Sequence, residues 1–276
     1  MKLPFVVLAV GRFPRDAVRV TFEDVPRSTT PELEAIIARE WEARLAIAQQ
    51  RDQSLYDGRL VRYRSHLQRE DGLAICTGPT GYREFVGTNL YHADRLDEFG
   101  WERFANPIGT TATLETADGF LVFGRRSQRV AFHGGHVHTI GGTLETVDVR
   151  PDGTVDVFAS VLRELHEEAG LSAAALESFD CVGLIRDREI VQPELLFEGR
   201  TRLRLAELMA AMRGAEAADE HVALVALPAA PAAVVPFLCQ RRPIAPVACG
   251  ALLLSGAARW GQKWFESAAK AWSAAS

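Results

Sequence analysis

The 276-residue chain is poor in the features that mark specialised protein classes. It has four cysteines, Cys76, Cys181, Cys239 and Cys249, all far apart and never in a C-x-x-C pair, which argues against a zinc site or a disulfide framework and for reduced, buried thiols. Positive charge is not in excess: Lys+Arg 31 against Asp+Glu 36 gives a formal net charge of −5, so there is no overall basic field to gather a nucleic-acid backbone. No apolar run reaches the roughly 18–20 residues that span a bilayer. The short run Leu3–Val10 meets Gly11-Arg12 without a small-residue cleavage site, so it is expected to be a buried first strand and not a leader. No internal repeat is visible. What is present, 47% hydrophobic and 24% charged residues with 22 Gly and 13 Pro, is the composition of an ordinary globular protein, expected to be cytoplasmic. At about 100–200 residues per domain, the length favours two compact units or one with an elaborated flank.

Local signals divide the chain. Thr29-Thr30-Pro31-Glu32 is a helix start, and Leu33, Ile36, Ile37, Trp41 and Leu45 recur at helical spacing behind it. Leu60–Leu67 and Gly72–Thr77 read as short strands about a charged turn, and a loop-rich passage containing Gly78 to Asn89 and ending near Asn106-Pro107 is expected to follow, with a domain boundary near residue 103. Residues 1–103 are thus expected as an α+β extension and 104–276 as a mixed α/β unit. The latter opens with a hairpin, Thr110–Glu115 and Gly119–Phe123, and contains a helix from about Val157 to Ala169 and strands near Cys181–Ile185 and Glu194–Phe197. The tail, rich in Ala, Leu and Trp with few cations, is expected to dock on this chain or on a second copy, as monomer or homodimer, and not on a membrane.

Chemistry concentrates in Arg163-Glu164-Leu165-His166-Glu167-Glu168-Ala169-Gly170-Leu171. On a helix Val157, Phe158, Val161, Leu162 and Leu165 share one face, and Glu164, Glu167 and Glu168 fall within an adjoining arc of about 100°. Like charges at this spacing weaken a helix by a few tenths of a kcal/mol per pair, and two lie where the macrodipole disfavours anions. A hard divalent cation, Mg²⁺ or Mn²⁺, offsets that repulsion and in turn binds phosphate oxygens. Arg163 is placed to pair with the acids, Gly170 to end the helix, and Gly141-Gly142 to bring backbone close to a ligand.

These residues resemble the signature of the Nudix hydrolases, G-x5-E-x7-R-E-U-x-E-E-x-G-U with U a bulky aliphatic residue. Residues 163–171 match its second half, and Gly142 with Glu145 its opening. The resemblance implies an α/β/α sandwich with a smaller N-terminal α+β domain, and water attack on a diphosphate linked to another moiety. It also implies that Glu164, Glu167, Glu168 and the Gly141 carbonyl hold the metal, with Arg163 as their ion-pairing organiser. One departure stands out: Gly142 and Arg163 are 21 positions apart where the signature needs 14, so seven residues are inserted near Arg150-Pro151-Asp152-Gly153. The expected upstream Glu falls on Val155, and Asp148 and Asp156 are the two acids placed to replace it. Gly81–Asn89, Pro107-Ile108-Gly109 and Thr116–Ser127 further resemble the animal members of the family that hydrolyse UDP-glucose and UDP-galactose, which implies UMP and a sugar 1-phosphate as products. The box itself reads only the diphosphate, so ADP-ribose, NADH, coenzyme A or an oxidised nucleotide as substrate, or a nucleotide sensor without turnover, are the alternatives.

The remaining candidates follow from residue type and place. Glu168, Glu194 and, less strongly, Glu189 are candidates for the base that orients or deprotonates water. Arg125, Arg126 and Arg129 are candidate phosphate forks, and Arg83 and Asn89 candidates for nucleotide or sugar. His133, His136 and His138 are expected to line the substrate pocket, His138 as a binding residue.

Overall fold

The computed structural model describes residues 3–128, 132–215, 221–240 and 243–275. The first part of the chain runs through β1 (Phe5–Phe13), β2 (Val18–Phe22), α1 (Pro31–Gln50), β3 (Arg59–Arg69), β4 (Gly72–Gly81), α2 (Tyr82–Phe85) and α3 (Leu96–Phe99). It continues through β5 (Gly109–Glu115), β6 (Phe120–Arg126), β7 (Val137–His138), β8 (Ile140–Thr143), α4 (Val157–Ala169), β9 (Leu176–Asp187) and β10 (Pro193–Thr201). Last come α5 (Leu205–Arg213), β11 (His221–Pro228), α6 (Pro231–Cys239), α7 (Pro246–Trp260) and α8 (Gln262–Ala275).

The large sheet has the order β1-β9-β10-β5-β6-β11, with β8 added to β5 and β7 to β6. Its β10–β5 pair is parallel, with Glu194 opposite Gly109, and β9 runs antiparallel to both β1 and β10. On one face α4 and α5 set Val161, Leu165, Leu208 and Met212 against Leu114, Leu195 and Phe197. On the other, α6 to α8 set Phe237, Leu252 and Leu253 against Leu121, Phe123 and Val182. This is the expected α/β/α layering, and the tail docks on its own chain. Among the described residues no helix is long and apolar enough to cross a membrane, and the four cysteines are free.

The smaller sheet, β2-β4-β3, carries most of the N-terminal third. The first strand does not stay with it: β1 pairs with β9 at the edge of the large sheet, from Phe5 opposite Asp187 to Phe13 opposite Cys181. The free edge of β1 is covered by β3. His66 Nε2 lies 3.0 Å from Leu8 O, and the Gln68 amide accepts from Val10 N at 3.1 Å and donates to Val10 O at 2.8 Å, blunting an edge that is otherwise a template for pairing. Thr30 caps α1 as its sequence predicts, accepting from Leu33 N at 3.2 Å, but the buried stripe covers only Leu33, Ile36 and Ile37, while Leu45 is exposed.

The segment from Gly78 to Asn89 is not a loop. β4 continues to Gly81, the Glu84 carboxylate accepts from Gly81 N (3.0 Å) and Thr80 Oγ1 (2.6 Å) to start α2, and one π-helical turn follows at Val86–Leu90. Gly87 serves close packing here, since a Cβ on it would lie 2.5 Å from Ile37 Cα.

The seven inserted residues form a small hairpin. Val149 bridges Val155, Gly153 N donates to Arg150 O at 2.9 Å, and Gly153 takes φ +79 at the turn. The hairpin lies on β2, with Phe22 N donating to Gly153 O at 2.7 Å and Val155 N to Val20 O at 2.9 Å.

Candidate active site

Helix α4 spans the predicted residues because its ends are encoded locally. The Asp156 side chain accepts from Ala159 N at 3.1 Å, and Gly170 terminates the helix in the left-handed region at φ +61. Val157, Phe158, Val161 and Leu165 are buried against the sheet, which fixes the helix rotation and presents Glu164 toward β8. The Glu164 carboxylate lies over Gly142, where a Cβ would come within 2.6 Å of Oε1, so a residue with a side chain at 142 would displace it. Gly141 is required for a different reason, because a Cβ on it would collide with the backbone of Thr110.

Arg163 holds this corner together. Its Nη1 donates to Asp148 Oδ1 at 2.6 Å, and its other nitrogens lie 3.7 Å from Glu164 and 4.0 Å from Glu167. The hydrogen bond to Asp148 raises the guanidinium pKa above its ordinary value, ahead of the opposing effect of burial. Between the two acids that sequence left open, Asp148 therefore meets Arg163. Asp156 instead caps α4 and pairs with Arg15 at 2.6 Å and with Arg150. Val155 is a core residue against β2, which is why that position carries no acid.

A cavity of about 200 Å³ opens between β5, β6, β8, α2 and the β9–β10 turn. Gly141, Gly142, Arg126, His138, Asp187 and Glu194 line its polar wall, and Tyr82, Phe85 and Phe132 its aromatic end. Four of the candidate residues, Arg126, His138, Gly141 and Glu194, are thereby brought together. Gly109, opposite Glu194 in the parallel register, leaves room for the acid, since a Cβ there would collide with its carboxylate. Among the described residues no hydrogen bond or ion pair holds Glu194; burial first, then the neighbouring charge of Asp187, pushes its carboxyl up to about 8 against the opposing effect of Arg126. Asp187 itself is raised to about 6 by burial, despite accepting from the backbone amides of Glu189 and Ile190. His133 is lowered to about 4, mainly by burial, although Glu189 lies 3.3 Å away. A carboxyl with a pKa near neutrality and no partner is suited to taking a proton from water.

Other candidates lie elsewhere. Arg125, on the opposite face of β6 from Arg126, donates to Gly135 O at 3.0 Å and does not line this cavity. Asn89 is fully buried, with its amide engaged by Asn106 at 3.0 and 2.9 Å, so it cannot touch a substrate. Arg83 faces a separate open cleft of about 900 Å³ with Arg27, Arg59, Asp57 and Glu84. Glu167 is half-buried beside Arg163, and Glu168 is buried and lines a cavity between α4, α5 and β11 with Met212 and Leu224. Arg129 lies outside the described residues. Among the described residues no three His, Cys, Asp or Glu side chains stand close enough to hold a metal ion. The hard oxygen donors that adjoin are Glu164 and the Gly141-Gly142 backbone. This chemistry suits Mg²⁺, which commonly takes one or two protein carboxylates and completes its shell with water and substrate phosphate. Sequence reasoning missed Asp187, Gln192 and the aromatic end of the cavity. The one visible signal for Asp187 was an acid closing an apolar strand, since its neighbours come from distant segments.

No protein-family model matches the chain. It is 30% identical over 212 residues to Nudix hydrolase 9 of Arabidopsis thaliana, covering 63% of this chain and 64% of that protein. It is 33% identical over 135 residues to the human uridine diphosphate glucose pyrophosphatase NUDT22, covering 42% of this chain and 45% of that protein. By sequence the chain is thus similar to proteins named as Nudix hydrolases, and the resemblance carried by residues 163–171 is borne out. The matched segment spans less than two thirds of either relative. Among solved structures it is similar to DR0079 from Deinococcus radiodurans (TM-score 0.38, 15% identity, 53% of this chain and 80% of that one). It is also similar to the Bacillus subtilis pyrophosphohydrolase BsRppH (TM-score 0.33, 14% identity, 57% of this chain and 85% of that one). With scores this low, the fold rests on its own strand order and layers.

Proposed function

We propose that the chain is a Mg²⁺-dependent pyrophosphohydrolase that cleaves UDP-sugars, UDP-glucose and UDP-galactose, to UMP and a sugar 1-phosphate. The observation that carries the reading is the unpartnered Glu194 carboxyl, set in the same cavity as Arg126 and the Gly141-Gly142 backbone on which Glu164 lies. The uridine assignment is supported by the likeness to the human, mouse and bovine proteins named uridine diphosphate glucose pyrophosphatase.

Of the residues that the resemblance assigns to the cation, Glu164 and the Gly141 carbonyl adjoin and would hold it here, while Glu167 stands beside Arg163 and Glu168 lines a separate cavity. When bound, Mg²⁺ or Mn²⁺ supplies charge neutralisation to the diphosphate. Arg163, pinned by Asp148, keeps the glutamates oriented. Arg126 offers a guanidinium to a phosphate oxygen, and Glu194 accepts the proton of the attacking water. Tyr82, Phe85 and Phe132 offer flat apolar surface to a nucleobase.

The test is incubation with UDP-glucose and Mg²⁺, followed by product chromatography. UMP and glucose 1-phosphate, lost with chelator and in Glu164→Gln, are the expected products. Faster cleavage of ADP-ribose overturns the uridine assignment, and nucleotide binding without cleavage of any diphosphate overturns the enzymatic one.

A further inference from the structure

The turn between β9 and β10 is gripped by the N-terminal third of the chain. Its two apolar residues enter separate clusters there: Ile190 packs with Leu60, Phe85 and Leu90, and Val191 with Leu33, Ile37 and Phe104. The turn is closed on itself by Asp187, whose Oδ1 accepts from Glu189 N at 2.6 Å and Ile190 N at 3.2 Å and whose own amide donates to Gln192 O at 2.9 Å. Val191 takes φ +49, a left-handed conformation that a β-branched residue adopts only when its surroundings impose it.

Asn89 reaches the carbonyl of this residue. Its Nδ2 donates to Val191 O at 3.4 Å and to Asn106 Oδ1 at 3.0 Å, while its Oδ1 accepts from Asn106 N at 2.9 Å and Thr88 Oγ1 at 3.1 Å. Asn106 is in turn anchored by Nδ2 to Trp101 O at 2.7 Å, so the strut has no slack on the N-terminal side. On the other side only Gln192, which is buried, and Pro193, whose ring fixes φ, separate Val191 from Glu194.

We propose that Asn89 is a positioning residue that acts through the Val191 carbonyl to fix the β9–β10 turn and so aim Glu194 into the cavity. The proposal rests on the reading of Glu194 as the base. It gives the N-terminal third a role in holding catalytic geometry, separate from any part in substrate recognition.

Asn89→Asp keeps the size and the acceptor but removes the amide donor. In substrate-free protein, hydrogen–deuterium exchange of residues 187–194 is expected to accelerate about 10-fold while residues 157–169 keep their protection. With UDP-glucose and Mg²⁺, kcat is expected to fall by about 10- to 100-fold, with KM changed by less than about two-fold. In a Glu194→Gln background the same substitution is expected to add less than about two-fold, because the two residues act through one geometry. Val191→Gly, which relieves the imposed backbone conformation and leaves Asn89 in place, supplies a second route to the same signature if Asn89→Asp does not fold. Unchanged exchange of residues 187–194 in the folded variants, or equal kcat losses in both backgrounds, overturns the proposal. Because the exchange measurement needs no turnover, it decides the strut even if Glu194→Gln leaves hydrolysis intact and the reading of the base fails.

Discussion

Asp148 is the residue at which the broken signature is most directly tested. Its carboxylate is almost wholly buried and spans two partners, Arg163 Nη1 at 2.6 Å and Glu145 N at 3.0 Å. Asparagine in its place keeps the volume and an acceptor for Glu145 but removes the charge facing the guanidinium. A hydrogen bond to a charged group contributes about 1.5–3 kcal/mol. Arg163 retains about a third of its side-chain exposure and can be rehydrated when released, so a loss of about 2 kcal/mol is expected for Asp148→Asn. For a chain of this length, unfolding entropy of about 2.1 cal/mol/K per residue converts that to a Tm lower by about 3–4 °C in calorimetry. Glu164 and Glu167 lose their organising cation as well, and kcat on UDP-glucose is expected to fall at least about tenfold. Asp156→Ala is the contrast: it removes the α4 cap and surface pairs with Arg15 and Arg150, lowering stability by about 1 kcal/mol with kcat retained. Abolished turnover in Asp156→Ala, with Asp148→Asn unchanged in both Tm and kcat, refutes the assignment.

Glu194→Gln is expected to flatten part of the pH dependence of stability. A carboxyl raised from 4.5 to about 8 on folding contributes fully below about pH 4.5 and loses that contribution as pH rises through about 8, so the Tm advantage of the variant over the parent should grow between these limits in metal-free melts. An advantage that shrinks with rising pH contradicts the burial of this acid. Gly142→Ala is expected to displace the Glu164 carboxylate, weakening Mn²⁺ binding measured by water-proton relaxation with little change in Tm, because the clash is with the end of a flexible side chain. Arg126→Ala is expected to raise KM for UDP-glucose by about tenfold, while Arg125→Ala, on the other face of β6, leaves KM within about two-fold; the reverse order would place the cavity on the wrong side of the strand.

What was legible in the sequence is what is encoded within one or two turns of chain. The limits of α4 follow from the Asp156 cap, the apolar spacing and Gly170, and the last two act as expected. The opposition of Arg125 and Arg126 was overlooked when both were taken as phosphate forks, although alternation along a strand sends neighbours to opposite faces. Asn89 was not legible. Gly-Thr-Asn is turn chemistry when read locally, but Gly87 is there for the approach of α1, and Asn89 finds its partners 17 and 102 positions away. The place of β1 escaped for the same reason: an apolar run of its length pairs with either sheet, and only the register with β9 decides. The Glu194 environment likewise comes from Gly109, Asp187 and Arg126, three segments that spacing alone does not bring together.

The inserted hairpin shows how a signature can be interrupted in sequence and continuous in space. Residues 149–155 leave and return through the Val149–Val155 bridge, and Asp156 N donates to Asp148 O at 3.1 Å across its base. Removing those seven positions from the count sets Asp148 directly before Asp156. Five residues then separate it from Gly142 and seven from Arg163, which is the spacing the signature assigns to its upstream Glu. The 2.6 Å contact with Arg163 is therefore made from the position that the signature gives to its upstream Glu, by an acid one methylene shorter. The hairpin itself is spent on β2, through Phe22 and Val20, so the same insertion that hides the signature ties the Asp148–Arg163 corner to the N-terminal sheet. Asn89 makes a second tie at the opposite wall of the cavity. With both walls anchored to one unit, loosening the N-terminal third should disturb chemistry before it disturbs the large sheet.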